Sequence, residues 1–383
     1  MDQAVVQNIA TGRAKLNVDL WLLAAAILLL ALGLLMVFSS SGIMAENLYG
    51  DPYYFFKRQA LFIALGLALM VGVVCIPMKT IYRFKYLWLG IAFIALFVSL
   101  SPLSPTINGA KRWIIFAGFS FQPMELAKVA MVIYLAYFFS AKQAIIKSFS
   151  VGVIPPFALT GGMALLLLLQ PDFGGAALLA LILFLMCLAG GTRLIYLLFS
   201  LLLAVGSAWL LISSSPYRAK RLMAFMDPFK DARDSGYQLV QSLYALAHGS
   251  WLGQGLGAGK QKLFFLPEAH NDFIVAVLGE ELGFVGISVL FVLLGVLLWR
   301  AFAVALRQKN LQDRLTAYGL ALILTLGSIL NLAVVFGAVP PKGVPLPFIS
   351  YGGSSLLCTL LCVGLLLNLS RSPEDRGVSS CKE

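Results

Sequence analysis

At 383 residues, 60% hydrophobic and only 12% charged, with a mean hydropathy of +0.90, this chain is too apolar for a soluble domain, where about a quarter of residues are charged. Its formal charge of +11 does not mark a nucleic-acid binder, because the basic residues form no stripe with interleaved aromatics. They fall in short connections between long apolar runs, where they set membrane orientation.

An apolar run of roughly 18 or more residues reads as a membrane-spanning helix. Ten such segments follow one another, over about 18–40, 59–77, 84–102, 123–140, 151–170, 173–191, 194–214, 272–299, 316–338 and 350–370. The first is too long for a signal-peptide core and lacks a small-residue cleavage site, which predicts a retained signal anchor. Only "QPDFGG", a polar helix-breaking hexapeptide, separates the fifth from the sixth.

Ten spans put both termini on one side. With that side cytoplasmic, the inner connections hold fifteen Lys and Arg and the short outer ones six. The other seven lie in the one long connection, about 215–271, where charge has less influence on orientation. The expectation is an all-α polytopic integral membrane protein of about ten transmembrane helices. Residues 1–370 form one domain, both termini are cytoplasmic, and a long extracytoplasmic loop joins helices 7 and 8. A short cytoplasmic tail covers 371–383. Cys75, Cys187, Cys358 and Cys362 lie in or beside apolar runs and Cys381 in the tail, without CxxC or Cys/His spacing. They predict small core residues rather than a disulfide framework or a zinc site.

The scarce polar groups gather in a few places. In "INGAKRWIIFAGFSFQPMELAK", Arg112 with Trp113 reads either as an interfacial anchor or as a ligand group. Glu125 and Lys128 stand at i and i+3, which puts them on one helix face. "GQGLGAGKQK" (Gly253–Lys262) imitates a phosphate loop, but Gln261 stands where the Walker pattern needs Ser or Thr. A nucleotide cofactor is therefore not expected. Its glycines still let backbone amides approach an anion, and Lys260 and Lys262 add charge.

"LFFLPEAHNDF" (Leu263–Phe273) packs Glu268, His270 and Asp272 into five residues, in a chain with two histidines. Alternate residues of an extended segment point one way, so the three suit metal ligation. The plain alternative is that Asn271 or Asp272 caps the following helix. Glu280 and Glu281 lie about 12–14 Å further down that helix, where an ionisable group needs a partner or a polar cavity. "PPKGVPLPFISYGGSS" (Pro340–Ser355) carries Lys342 and cannot run as a regular helix. It reads as a re-entrant turn or as the lip of a substrate site.

"NGAKRW", "QPMELAK", "QPDFGG", the block from Ser235 to Gly286 and "KGVPLPFISYGGSS" occur in the order seen in the SEDS family, the FtsW/RodA/SpoVE group. The likeness spans nearly the whole chain, and "LPEAHNDF" followed by "GEELG" resembles the FtsW branch more than the RodA branch. Gly175, Asn271 and Met124 depart from residues common in the family, as do Ser120 and Phe121 where some relatives carry Arg. The resemblance implies ten transmembrane helices and peptidoglycan glycosyltransferase activity on lipid II. It also implies membrane lipids as surroundings and work beside a class B penicillin-binding protein, an FtsI-type transpeptidase, among other membrane proteins of the division machinery. The expected location is the cytoplasmic (inner) membrane at the division septum. The family's essential acid falls on Asp272, and its other motif residues on Arg112, Glu125 and Lys128.

The residues suit that chemistry. Hydrolysis of a glycoside needs a general acid for its poor leaving group, but a diphosphate leaves readily once its charge is neutralised. One carboxylate then suffices to take the proton of the attacking hydroxyl. Asp272 is expected as that base, or as a ligand of a divalent cation, Mg or Mn, that activates the acceptor. Arg112, Lys128, Lys260 and Lys342 are expected on diphosphates, with Glu125, Glu268 and His270 as further substrate-binding candidates. A lipid II flippase, a RodA-like elongation polymerase and a docking scaffold are the rival readings.

Overall fold

The computed structural model describes residues 18–371, apart from 103, 107–108, 117–118, 215–219, 221–222, 224, 231, 233–235 and 264. The helices among them are α1 (Leu20–Tyr49), α2 (Tyr54–Cys75), α3 (Met78–Arg83), α4 (Lys85–Val98), α5 (Pro123–Ala141), α6 (Phe149–Gly152) and α7 (Ile154–Leu169). Then come α8 (Phe173–Gly190), α9 (Leu194–Ser213), α10 (Tyr237–Gly249), α11 (Ile274–Arg307), α12 (Leu311–Val335) and α13 (Gly353–Ser370). A two-stranded antiparallel hairpin, β1 (Ile114–Phe116) with β2 (Phe119–Phe121), stands between α4 and α5. It is an exception to the all-α expectation. The tail beyond 371 and the first 17 residues lie outside the described residues.

Each of the ten apolar segments contains one helix. Eight helical stretches are long and apolar enough to cross a membrane, and Lys85–Val98 and Leu194–Leu210 are apolar but shorter. The protein is a multi-pass membrane protein. Helices α5, α12 and α13 are the most enclosed. α9 instead turns Phe199, Leu202, Leu203 and Trp209 outward, a surface that only lipid or a partner suits. α1 and α11 run nine and eight residues past their expected ends. A helix is held by backbone bonds that ignore polarity, so it continues through polar residues where an apolar run stops.

The end of the bundle that carries both described termini is tied by polar contacts. Arg300 grips Asp19, with Nη2 2.5 Å and Nε 3.0 Å from Oδ2, and Asp19 N donates to Ser370 Oγ at 3.0 Å. Tyr82 Oη donates to Asp313 at 2.8 Å. Functional candidates gather at the opposite end, called here the loop end.

Two irregularities shape the loop end. α11 breaks at Gly283, whose φ of 64° and ψ of −162° suit only glycine. The connection after α10 fills the break. Gln254 N and Gly255 N donate to Glu280 O and Glu281 O at 2.9 and 3.0 Å, while Phe284 N and Val285 N donate to Ser250 O and Trp251 O at 2.9 and 3.2 Å. Backbone freed inside a membrane protein must find such partners. The second irregularity is Pro340–Gly352, non-helical as its prolines dictate. It folds inward until Phe348 O occupies the space that a Cβ on Gly33 of α1 would need. Only a glycine permits that approach, and the segment is re-entrant.

Candidate functional site

Three segments converge at the loop end on a small cavity lined by Arg112, Glu125, Lys128, Asp172, Lys342 and Gly343, among others. Arg112 precedes β1. Its Nη2 donates to Pro171 O at 2.9 Å, and its Nε faces Asp172 Oδ1 at 3.7 Å. The bare interfacial-anchor reading of Arg112 therefore gives way to a group facing the cavity. Glu125 and Lys128 occupy the start of α5, where Pro123 sets the first turn. Their spacing brings Lys128 Nζ within 2.9 Å of Glu125 Oε1, with both side chains buried.

Asp172 begins α8, and its Oδ1 accepts from Gly175 N at 3.0 Å. Read along the chain, "QPDFGG" is a helix breaker, and its carboxylate is not among the expected site residues. The signal was there, since an acid between two apolar helices needs a cation. Lys342 Nζ reaches across to donate to Gly174 O. Burial holds the Lys342 ammonium down to about 8, with Asp172 opposing and Lys128 and Arg112 adding to the shift. The cavity wall thus carries three cations against two carboxylates.

Asp272 stands at the edge of this wall. A Cβ on Gly343 would lie 2.8 Å from its Oδ2. Burial, with the nearby charge of Glu268 adding and that of Arg112 opposing, raises the Asp272 carboxyl to about 7. Among the described residues no side chain caps α11, whose first-turn position is led by Phe273. The capping reading of Asn271 or Asp272 is therefore overturned, and the Asp272 carboxylate is left for other work.

The metal reading of Glu268, His270 and Asp272 also loses its geometry. The segment is a run of turns, with Glu268 at a φ of 57°, so alternate side chains do not share a face. Glu268 is exposed. His270 is buried between Phe55, 4.9 Å away, and Tyr351, 5.8 Å away. Burial lowers its pKa against the opposing charge of Glu268, which favours neutral imidazole. Among the described residues no three His, Cys, Asp or Glu side chains group to hold a metal ion.

Lys260 does not line the cavity. Its side chain is exposed, and its backbone N donates to Glu280 Oε1 at 3.0 Å beside Gln261 N to Oε2 at 3.1 Å. The glycine-rich loop does cradle an anion, but the anion is the protein's own glutamate. Glu281 is held likewise, by Lys262 Nζ at 2.6 Å and by Ser39 Oγ at 2.5 Å. The two buried glutamates thus have the partners their position demands. Nothing local in the sequence joins Lys262 and Ser39 to α11, so this role is visible only in the fold.

A helical bundle in the membrane with an acid beside a cation-lined cavity at one end defines a class: polytopic proteins that handle an anionic, membrane-borne substrate. A sequence profile of the FtsW/RodA/SpoVE group, described as cell cycle protein, matches residues 19–375. The chain belongs to this family. It is 41% identical over 353 residues to the probable peptidoglycan glycosyltransferase FtsW of Geobacter sulfurreducens, covering 92% of this chain and 95% of that one. It is 38% identical over 358 residues to stage V sporulation protein E of Bacillus subtilis, covering 93% and 98%. Among solved structures, a peptidoglycan synthase complex that coordinates polymerisation and crosslinking contains a chain of TM-score 0.76 and 30% identity, covering 95% of this chain and 99% of that one. Peptidoglycan glycosyltransferase, the activity expected from the sequence, is the one in the name of the Geobacter relative, and neither transport nor scaffolding is favoured.

Proposed function

We propose that the protein polymerises lipid II into glycan strands at the outer face of the cytoplasmic membrane during cell division, with Asp272 as general base. The acceptor's sugar hydroxyl attacks the anomeric carbon of the donor, and Asp272 takes its proton. The bond from that carbon to the diphosphate breaks, and the lipid diphosphate leaves with the electron pair. Arg112, Lys128 and Lys342 face the cavity where that diphosphate sits, and they neutralise its charge as it departs. Glu125 and Asp172 hold two of the cations in place. His270, neutral and packed among rings, shapes the turn that carries Asp272.

The observation that carries this reading is the uncapped Asp272 carboxylate, raised to about 7, at the edge of a cavity walled by three cations. A base poised near the working pH is the most effective one. The loop end faces outward in this reading, as the distribution of Lys and Arg supports. Asp272 and Asp172 would be the carboxylates available to a magnesium or manganese ion, which would supply positive charge for the departing diphosphate; no step here depends on it. The solved synthase complex supports a class B penicillin-binding protein as the working partner, and the identity to FtsW relatives supports the septum as the site of action.

Fluorescent lipid II given to the purified protein with a transpeptidase-dead partner tests the reading. Strands are expected from the parent. The Asp272→Asn variant, folded and still bound to the partner, is expected to lose roughly a thousandfold or more, the scale of a general base. Parental rates from Asp272→Asn would remove the base. A parent that makes no strands beside an active control would bring transport of the same lipid to the front.

A further inference from the structure

Three successive backbone carbonyls lead into α11, and each accepts from a different donor. Tyr351 N donates to His270 O at 3.0 Å. Ser350 Oγ donates to Asn271 O at 2.7 Å. Asn331 Nδ2 donates to Asp272 O at 2.8 Å. The first two donors belong to the re-entrant segment, and the third projects from α12.

Asn331 does more than the other two. The same Nδ2 also donates to Val344 O at 2.7 Å. Its two N–H bonds therefore join the turn that carries Asp272 to the segment that carries Lys342 and Gly343. That second segment is the one against which Asp272 Oδ2 rests. The side chain is 1% exposed, and its Oδ1 is buried with no hydrogen-bond partner among the described residues. Turning the amide over would set its oxygen against two carbonyls, so the orientation is forced. A half-satisfied buried amide costs the fold more than a well-packed apolar side chain would. What the amide supplies in return is a fixed separation between two segments of the site.

We propose that Asn331 is a positioning residue for glycosyl transfer: by holding the carbonyls of Asp272 and Val344 together, it sets the Asp272 carboxylate at a fixed place beside the Lys342–Gly343 wall. The proposal rests on Asp272 being the base. A base that slackens by an ångström loses its aim at the acceptor hydroxyl, and such misplacement costs up to about a hundredfold in rate. Arg112 and Lys128 stand on other segments and Lys342 keeps its own bond to Gly174 O, so the cations that bind substrate are held independently of Asn331. The signature is a fall in kcat at nearly constant KM.

The test is steady-state polymerisation of fluorescent lipid II by the full chain with its penicillin-binding partner. Rates are taken per folded molecule, counted from the monodisperse fraction. The set is the parent, Asn331→Ala, Asn331→Leu and Asp272→Asn. Asn331→Leu keeps the side chain's size while removing the N–H donors and adding no buried charge, so it decides the matter where Asn331→Ala fails to fold. Both Asn331 variants are expected to lower kcat by roughly 10- to 100-fold and to leave KM within about twofold, the pattern of a contact that matters only in the transition state. A residue that merely supports the fold would lower the melting temperature and yield but keep the parental kcat per folded molecule. That result, with Asp272→Asn inactive, overturns the proposal and leaves the base intact. Full activity of Asp272→Asn removes the base and the proposal with it.

Discussion

Two clusters of charge stand at the loop end, made from the same residue types, and they are opposite in condition. Around Gly283, Glu280 accepts from two loop amides, and Glu281 is closed in by Lys262 and Ser39. Around the cavity, Lys128 is paired with Glu125, but Arg112 and Lys342 lean on the carbonyls of Pro171 and Gly174, and the Asp272 carboxylate, pressed against Gly343, has no cation bound to it among the described residues. Closed pairs hold segments together. Cations resting on neutral carbonyls, beside a carboxyl whose proton is loosely settled, can exchange those contacts for a substrate. The contrast separates scaffold from working site more cleanly than counting charged residues does.

The largest effect should come from the closed cluster. Lys262→Met leaves Glu281 buried without its cation, and breaking a buried pair in this way costs about 3–5 kcal/mol. Thermal unfolding in detergent should record it, with little change in rate per folded molecule; a parental melting temperature would mean the cluster is not closed.

Next comes pH. Asp272 must be ionised to act as a base, and burial raises its pKa to about 7, so kcat/KM should rise with pH through that value. It should fall nearly tenfold per unit below it, approaching a hundredfold by about pH 5. Lys342 loses its charge above about 8, so the same profile should decline on its alkaline side. A flat profile between pH 5 and 9 would contradict both assignments.

Lys342→Gln removes one diphosphate cation and should raise KM for lipid II roughly tenfold, the worth of a single charge-assisted bond. The smallest effect sharpens the comparison most. Lys260→Ala touches an exposed side chain whose backbone N–H alone is used, so polymerisation and stability should stay at parental values. A loss at Lys260 equal to that at Lys342 would place the glycine-rich loop in the substrate site after all.

Much of this was legible in the sequence, and the division follows the range of the interactions. Every one of the ten apolar runs holds helix, eight of them in stretches long and apolar enough to span, because the cost of exposed backbone in lipid acts on each segment by itself. Glu125 and Lys128 met because i and i+3 is a property of one helix. The failures are non-local. Asp172 read as part of a breaker because its cations lie 60 positions before it, at Arg112, and 170 after it, at Lys342. Lys260 and Lys262 read as ligands for a foreign anion because the loop's true anions belong to a helix that follows it. The metal reading of Glu268, His270 and Asp272 assumed an extended segment, whereas the hydrogen bonds that Tyr351, Ser350 and Asn331 give to its carbonyls hold it in turns.

The break in α11 has a further consequence. Because the four freed backbone groups at Glu280–Val285 are matched by residues 250–255, neither segment can open while the other stays closed. Two stretches some thirty positions apart in sequence should therefore exchange their amide hydrogens for deuterium as a single cooperative unit, a tempo shared by a surface connection and the interior of a spanning helix.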